Sequence, residues 1–303
     1  MIEYRLTKRQ VRGLMGSVLA IGLATQCYRS LSARTEDSFE SRSPAVAARP
    51  AANQAIAATT IRDESLTALT LEETAARDPM AFLEGVLERY DRSVRDYTCL
   101  FTKRELVHGR MTERQVIEVQ FRESPFSVLM KWVENADKCS RVLYVADRWV
   151  KDGQQYAVVE PGAIAKLFVP YVMRPIHGED ALKSSRRTID QFGLRSSLAL
   201  TLKYCRLARE KNILDLRFLG TGQVEGRETL VFERRLPYTG ENGAWPDRVL
   251  VLHLDKELLV PTLCLAYADN GKTQLLGEYA TTRIKLNTNL PDSVFSKEGM
   301  GLQ

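Results

Sequence analysis

Five carboxylates, Glu105, Glu118, Glu160, Asp255 and Glu278, lie in or beside stretches that alternate like β-strands, where two of them could form an acid–base pair. Such a pair needs a defined separation and pKa values pushed apart by their surroundings. Nothing in their order along the chain couples any two, and solvated strand faces explain them more simply. His108, His177 and His253 are far apart and lack the i, i+4 or cysteine-flanked spacing of a metal site. No Gly-x-Ser-x-Gly elbow or Walker loop occurs. Gly220-Thr221-Gly222 with Gly226 has the wrong spacing for a dinucleotide loop and precedes an alternating segment, so it reads as a hairpin. Neither a cofactor nor a metal is expected, and no catalytic residue is assigned. Cys99, Cys139, Cys205 and Cys264 would either pair as disulfides in an oxidising compartment or stay buried as small apolar side chains.

The segments that would carry these residues are mostly strands. Tyr97, Cys99 and Phe101 alternate with polar neighbours, as do Ile117, Val119 and Phe121, and His108-Gly109-Arg110 supplies a turn between them. After the break at Ser124-Pro125, the residues Phe126, Val128, Met130 and Trp132 form one apolar face. Further strands are expected at 141–146, 155–159, 215–219, 229–234, 249–254, 262–267, 275–281 and 282–286, with Lys151-Asp152-Gly153 and Asp269-Asn270-Gly271 as turns. Two helices interrupt the pattern. Asp78-Pro79 caps one in which Met80, Leu83, Val86, Leu87 and Tyr90 share a face, and Leu194, Leu198, Leu202 and Cys205 mark the other, behind a capping box of Thr188 and Gln191. The fold class is therefore mainly β (α+β): a strongly curved antiparallel sheet or half-open β-barrel with two helices at or in its concave face.

Lys103-Arg104-Glu105 after Tyr97–Phe101, Pro125-Phe126 with Met130-Lys131-Trp132, Leu143-Tyr144-Val145, Gly193-Leu194, Leu254–Glu257 before Pro261, and Gly277-Glu278-Tyr279 before Lys285-Leu286-Asn287 together resemble a bacterial envelope domain family of unknown function, common in planctomycete-type bacteria. The resemblance spans nearly everything from Asp78 to Phe295. That family is similar in outline to the periplasmic lipoprotein carriers of the LolA and LolB type, whose half-open barrel holds acyl chains under a helical lid. The resemblance implies helices at the mouth of a curved sheet and an apolar site for a lipid or a lipoprotein acyl chain. Phe121, Phe126, Val128, Met130, Trp132, Leu198 and Leu202 are the candidate lipid-binding residues.

The N-terminus bears on location. Lys8, Arg9 and Arg12 precede an apolar run from Gly13 to Ala24, the pattern of a secretory signal and short for a membrane span. Residues 1–29 read as signal peptide or anchor, with Cys27 preceded by Gln26 and so poorly placed for acylation. Residues 30–77, rich in Ala, Ser, Thr and Arg, read as a disordered tether with room for a short helix near 66–76, and 78–303 as the β domain. With 303 residues, 44% hydrophobic, the chain can bury a sizeable core. Its 43 basic and 38 acidic residues are mixed along its length, which argues against nucleic acid and allows peripheral contact with a membrane. The leading expectation is a non-enzymatic, exported periplasmic or envelope-associated protein that binds a lipid or acylated protein in an apolar concavity. The alternative is a structural or protein-interaction module with a filled core, and third comes a hydrolase on the same scaffold.

Overall fold

Strands dominate because period-two alternation of β-branched and aromatic residues runs through most of the chain after Asp96. In a computed structural model, which describes residues 69–136, 139–241 and 243–302, these segments form one curved, unclosed antiparallel sheet of 13 strands. The expected signal, most of the tether, and Cys27 lie outside the described residues.

Two helices come first, α1 (Leu71–Arg77) and α2 (Pro79–Ser93). The strands β1 (Asp96–Val107), β2 (Arg110–Met111), β3 (Gln115–Arg122), β4 (Ser127–Glu134), β5 (Cys139–Val145), β6 (Val150–Lys151) and β7 (Gln154–Pro161) follow as a chain of hairpins. A less regular stretch then holds α3 (Ala163–Lys166), β8 (Val172–Pro175), α4 (Glu179–Ser184) and a 3-10 turn at Ile189–Gln191, and leads into α5 (Leu194–Glu210). The strands β9 (Asp215–Val224), β10 (Arg227–Arg235), β11 (Val249–Asp255), β12 (Pro261–Tyr267) and β13 (Leu275–Leu286) complete the sheet. Its order is β6-β7-β5-β4-β3-β1-β13-β12-β11-β10-β9, with β2 beside β1 and β8 beside β7. The last strand returns to pair with the first, so β1 sits at the middle of the sheet.

Three hairpins share one turn chemistry. His108-Gly109, Asp152-Gly153 and Glu225-Gly226 each place both central residues at positive φ, the two-residue turn whose twist matches that of the flanking strands. The Asp269-Asn270-Gly271 connection is longer than a two-residue turn. There the Asp269 carboxylate accepts the Thr273 and Gln274 amides, at 2.9 and 2.8 Å, and these backbone bonds hold its pKa below the usual value.

Several sequence-based expectations need correction. The segments 275–281 and 282–286 are one continuous strand, β13, because Thr281 and Thr282 stay in register with Phe101 and Leu100 of β1. Thr188 caps nothing; its hydroxyl bonds the Asp190 carboxylate, and the residue before α5 is Gly193 at φ 121°. A β-carbon there would meet the Phe121 ring at 3.2 Å and the Tyr97 hydroxyl at 3.3 Å, so a bare backbone lets α5 start against the sheet. The short helix given room near 66–76 is α1. A capping box between Thr70 and Glu73 starts α1, Ala75 is fully buried, and Glu72 pairs with Lys256.

The inner face of the sheet packs on the helices in two adjoining groups. Phe82, Leu83 and Val86 of α2 and Leu198, Leu202 and Cys205 of α5 meet Leu230, Phe232, Leu252 and Leu254. Tyr97, Ile117, Phe121, Val128 and Met130 form the neighbouring group with Leu194. On the outer face, Phe295, Met300 and Leu302 of the C-terminal segment cover Leu143, Val145 and Val158. Cys99, Cys205 and Cys264 are buried free thiols, and burial pushes them up from their ordinary pKa.

Candidate functional site

The two inner-face groups do not fill the space under the sheet. A cavity of about 1090 Å³ remains between the inner strands, the segment from Ile176 to Gly193 and the flank of α5 that carries Ser197, Leu200, Thr201 and Tyr204. Small-molecule pockets usually span roughly 300–1,000 Å³, so this space is large enough for a long flexible guest.

Strand alternation gives the cavity two different sides. Under β3, β4, β5, β7 and β8 most of the lining positions, Ile117, Met130, Trp132, Val142, Ala157, Val159 and Val172, are apolar, with Gln115, Cys139 and Arg174 interspersed. Under β1, β13, β12 and β10 the wall includes Lys103, Glu105, Tyr279, Thr262, Cys264 and Arg234, with Asp247 beside them. Trp132 is held at the apolar side by donating its indole N–H to Gln115 Oε1 at 3.1 Å.

Glu105 ties the covering segment to the sheet. Its buried carboxylate accepts from Lys103 Nζ at 2.9 Å, Tyr279 Oη at 2.8 Å, Ser185 Oγ at 3.0 Å and the Arg186 amide at 3.4 Å. Burial alone would raise its pKa, but the Lys103 charge and hydrogen bond, with those of Tyr279 and Ser185, outweigh burial and hold it below its ordinary 4.5. A carboxylate depressed in the folded state contributes stability that is fully present above its unfolded value and is lost as pH falls through the folded one. Amide exchange of residues 185–193, corrected for intrinsic rates between about pH 3 and 6, should therefore quicken relative to β1 on acidification. Glu105→Gln should abolish that dependence. Parallel behaviour of the segment and β1 in both proteins would show that Glu105 does not tether the segment.

Arg234 and Asp247 form the second buried polar feature. Leu230, Phe232 and Arg234 share the inner face of β10, so alternation carries the guanidinium into the interior. There Nη2 donates to both Asp247 oxygens at 2.9 Å and Nη1 to the Thr201 carbonyl at 3.1 Å, while Tyr204 lies 5.6 Å from the guanidinium carbon.

Of the residues singled out in sequence, Met130 and Trp132 line the cavity. Phe121, Phe126 and Val128 instead pack among themselves and with Tyr97, Tyr144 and Phe192, and Leu198 and Leu202 face α2 and β10–β12 in the core. The Leu198 and Leu202 face of α5 is thus buried in the core, and the segment 176–193 covers the cavity. Among the five carboxylates only Glu105 reaches the cavity. Glu118 pairs with Lys131, Glu160 with Arg141 and Lys166, and Asp255 with Arg227, while Glu278 lies opposite Arg104 in the β1–β13 register. Arg187, Arg234 and Asp247 were not legible as site residues; the only sequence signal was the inward parity of Arg234. Among the described residues, no three His, Cys, Asp or Glu side chains gather as a metal site would require, and no helix is long and apolar enough to cross a membrane.

Comparison with known proteins gives distant structural similarity. A DUF1329 family protein from Desulfovibrio piger is 13% identical with a TM-score of 0.38, over 75% of this chain and 100% of that one. The MucA/MucB complex of Pseudomonas aeruginosa aligns at 17% identity and TM-score 0.41, covering 72% of this chain and 60% of that one. A LolA superfamily protein from Nitrosomonas europaea aligns at 12% identity and TM-score 0.32, covering 72% of this chain and 98% of its own. No curated protein matches by sequence. The family match is more extensive: residues 94–299, from the end of α2 to the C-terminal segment, fit a family of proteins of unknown function, and the chain belongs to that family, DUF1571.

Proposed function

We propose that the β domain is a non-enzymatic binding protein of the cell envelope that takes the acyl chain of a lipid or of an acylated protein into its cavity. The observation that carries this reading is the size of the cavity together with its apolar side. Each methylene moved from water to such a wall contributes about 0.8 kcal/mol, so a chain can be held without any reaction. The charged start and apolar run at Lys8–Ala24 support export. Leu167 and Phe168, each 81% exposed, stand between the cavity-lining residues Ala165 and Val169, which supports contact with a membrane surface where a chain would enter.

The test uses Trp132 as reporter in a W149F/W245F background, since these are the other tryptophans. Titration with sodium dodecanoate should shift Trp132 emission saturably, and native mass spectrometry of freshly purified protein should find lipid bound. Unchanged emission at saturating dodecanoate, together with no copurifying lipid, would refute the proposal.

A further inference from the structure

The charged side of the cavity holds more cation than its own carboxylates neutralise. Lys103 is paired with Glu105 and Arg234 with Asp247. Next to them, Arg186 and Arg187 leave the covering segment with no carboxylate partner among the described residues. Arg186 Nη2 donates to the Pro246 carbonyl at 3.1 Å, while its Nη1 is buried with no acceptor. Arg187 lines the cavity, with its guanidinium over the face of Tyr279, 5.9 Å from the ring centre.

These groups form one cluster. The Tyr279 hydroxyl is bonded to Glu105, and the charges of both Arg187 and Arg186 act on Tyr279. Cys264, buried on β12 at the cavity wall, lies within reach of the charges of Arg187 and Arg234. A guanidinium facing an apolar space without an anion gives up hydration with little in return. Its planar donor array suits a carboxylate or phosphate, and a stacked aromatic ring fixes its plane. The other wall of the same cavity, from Ile117 across to Val172, is mostly apolar apart from Gln115, Cys139 and Arg174, and suits a hydrocarbon chain.

We propose that the guest is an anionic amphiphile whose chain lies along the β3–β8 wall and whose terminal carboxylate or phosphate pairs with Arg187. This rests on the chain-binding reading and adds the class of headgroup. Arg186, held to the Pro246 carbonyl, adds positive charge near Tyr279 at the same end. Tyr279 positions the Arg187 guanidinium, and Glu105, by accepting the Tyr279 hydroxyl and the Arg186 amide, links the headgroup end to the anchoring of the covering segment.

Calorimetric titration of the full-length protein with dodecanoate, dodecyl phosphate, dodecanol and inorganic phosphate separates the parts. Both anionic amphiphiles should bind roughly tenfold or more tightly than dodecanol, the scale of one charge-assisted pair. Arg187→Gln should erase that preference, with an unchanged melting temperature reporting that the variant is folded, and Arg187→Lys should restore part of the preference. Equal affinity of the wild type for all three amphiphiles, or an equal loss for all three in R187Q, would overturn the headgroup assignment alone. Binding of none of them would overturn the chain-binding function on which it rests. Inorganic phosphate binding as tightly as dodecyl phosphate would make this a simple anion site and overturn the amphiphile.

Discussion

Asp247→Ala should destabilise the domain by about 3–5 kcal/mol, the cost of leaving a buried charge without its partner. The Arg234 and Asp247 side chains are only 2% and 4% exposed, so water cannot easily replace the lost carboxylate. In a domain of this size each kcal/mol lowers the melting temperature by roughly 2–4 °C, so a fall of roughly 6–20 °C is expected by calorimetry. Replacing both partners with apolar residues of similar volume, R234M/D247L, should recover most of the loss, because the pair's own attraction offsets little more than its desolvation. The cavity supplies the competing outcome. If water enters it and reaches the guanidinium, the single substitution will cost less than about 1 kcal/mol, as for an exposed pair. Urea denaturation of the three proteins distinguishes these cases.

Strand identity was legible because alternation has a fixed period and one face must be buried. The same parity that put Met130 and Trp132 under the sheet put Arg234 there too, although a guanidinium on an inward position gives no hint of its partner until the chain before β11 brings Asp247 alongside. Alternation also cannot tell a lining residue from a core residue. Phe121 and Val128 share their face with Met130, but Gly193 lets α5 approach the sheet above Phe121, and that end is filled. Farther along the same strands Met130 and Trp132 line the cavity. The headgroup candidates were hidden for another reason. Arg186 and Arg187 belong to an irregular segment with no period, and their position depends on the long-range bonds from Ser185 and Arg186 to Glu105.

Ala157→Trp should leave the domain folded while lowering its affinity for a long-chain guest by roughly a hundredfold or more. Ala157 points inward from β7 and lines the apolar side of the cavity, although it is only 4% exposed. In a close-packed core an indole at that position would force neighbours off their rotamers at a cost of about 1–3 kcal/mol or more. In an open cavity it would bury its own apolar surface, so the change in stability should stay within about 1 kcal/mol. The indole would occupy the volume of about four chain methylenes, and losing them costs about 3 kcal/mol of binding, which sets the hundredfold estimate. Stability and binding are therefore expected to separate, with the melting temperature held and the dodecanoate titration flattened. A protein that melts much lower but still binds dodecanoate at wild-type affinity would mean that this wall is core and that the guest lies elsewhere.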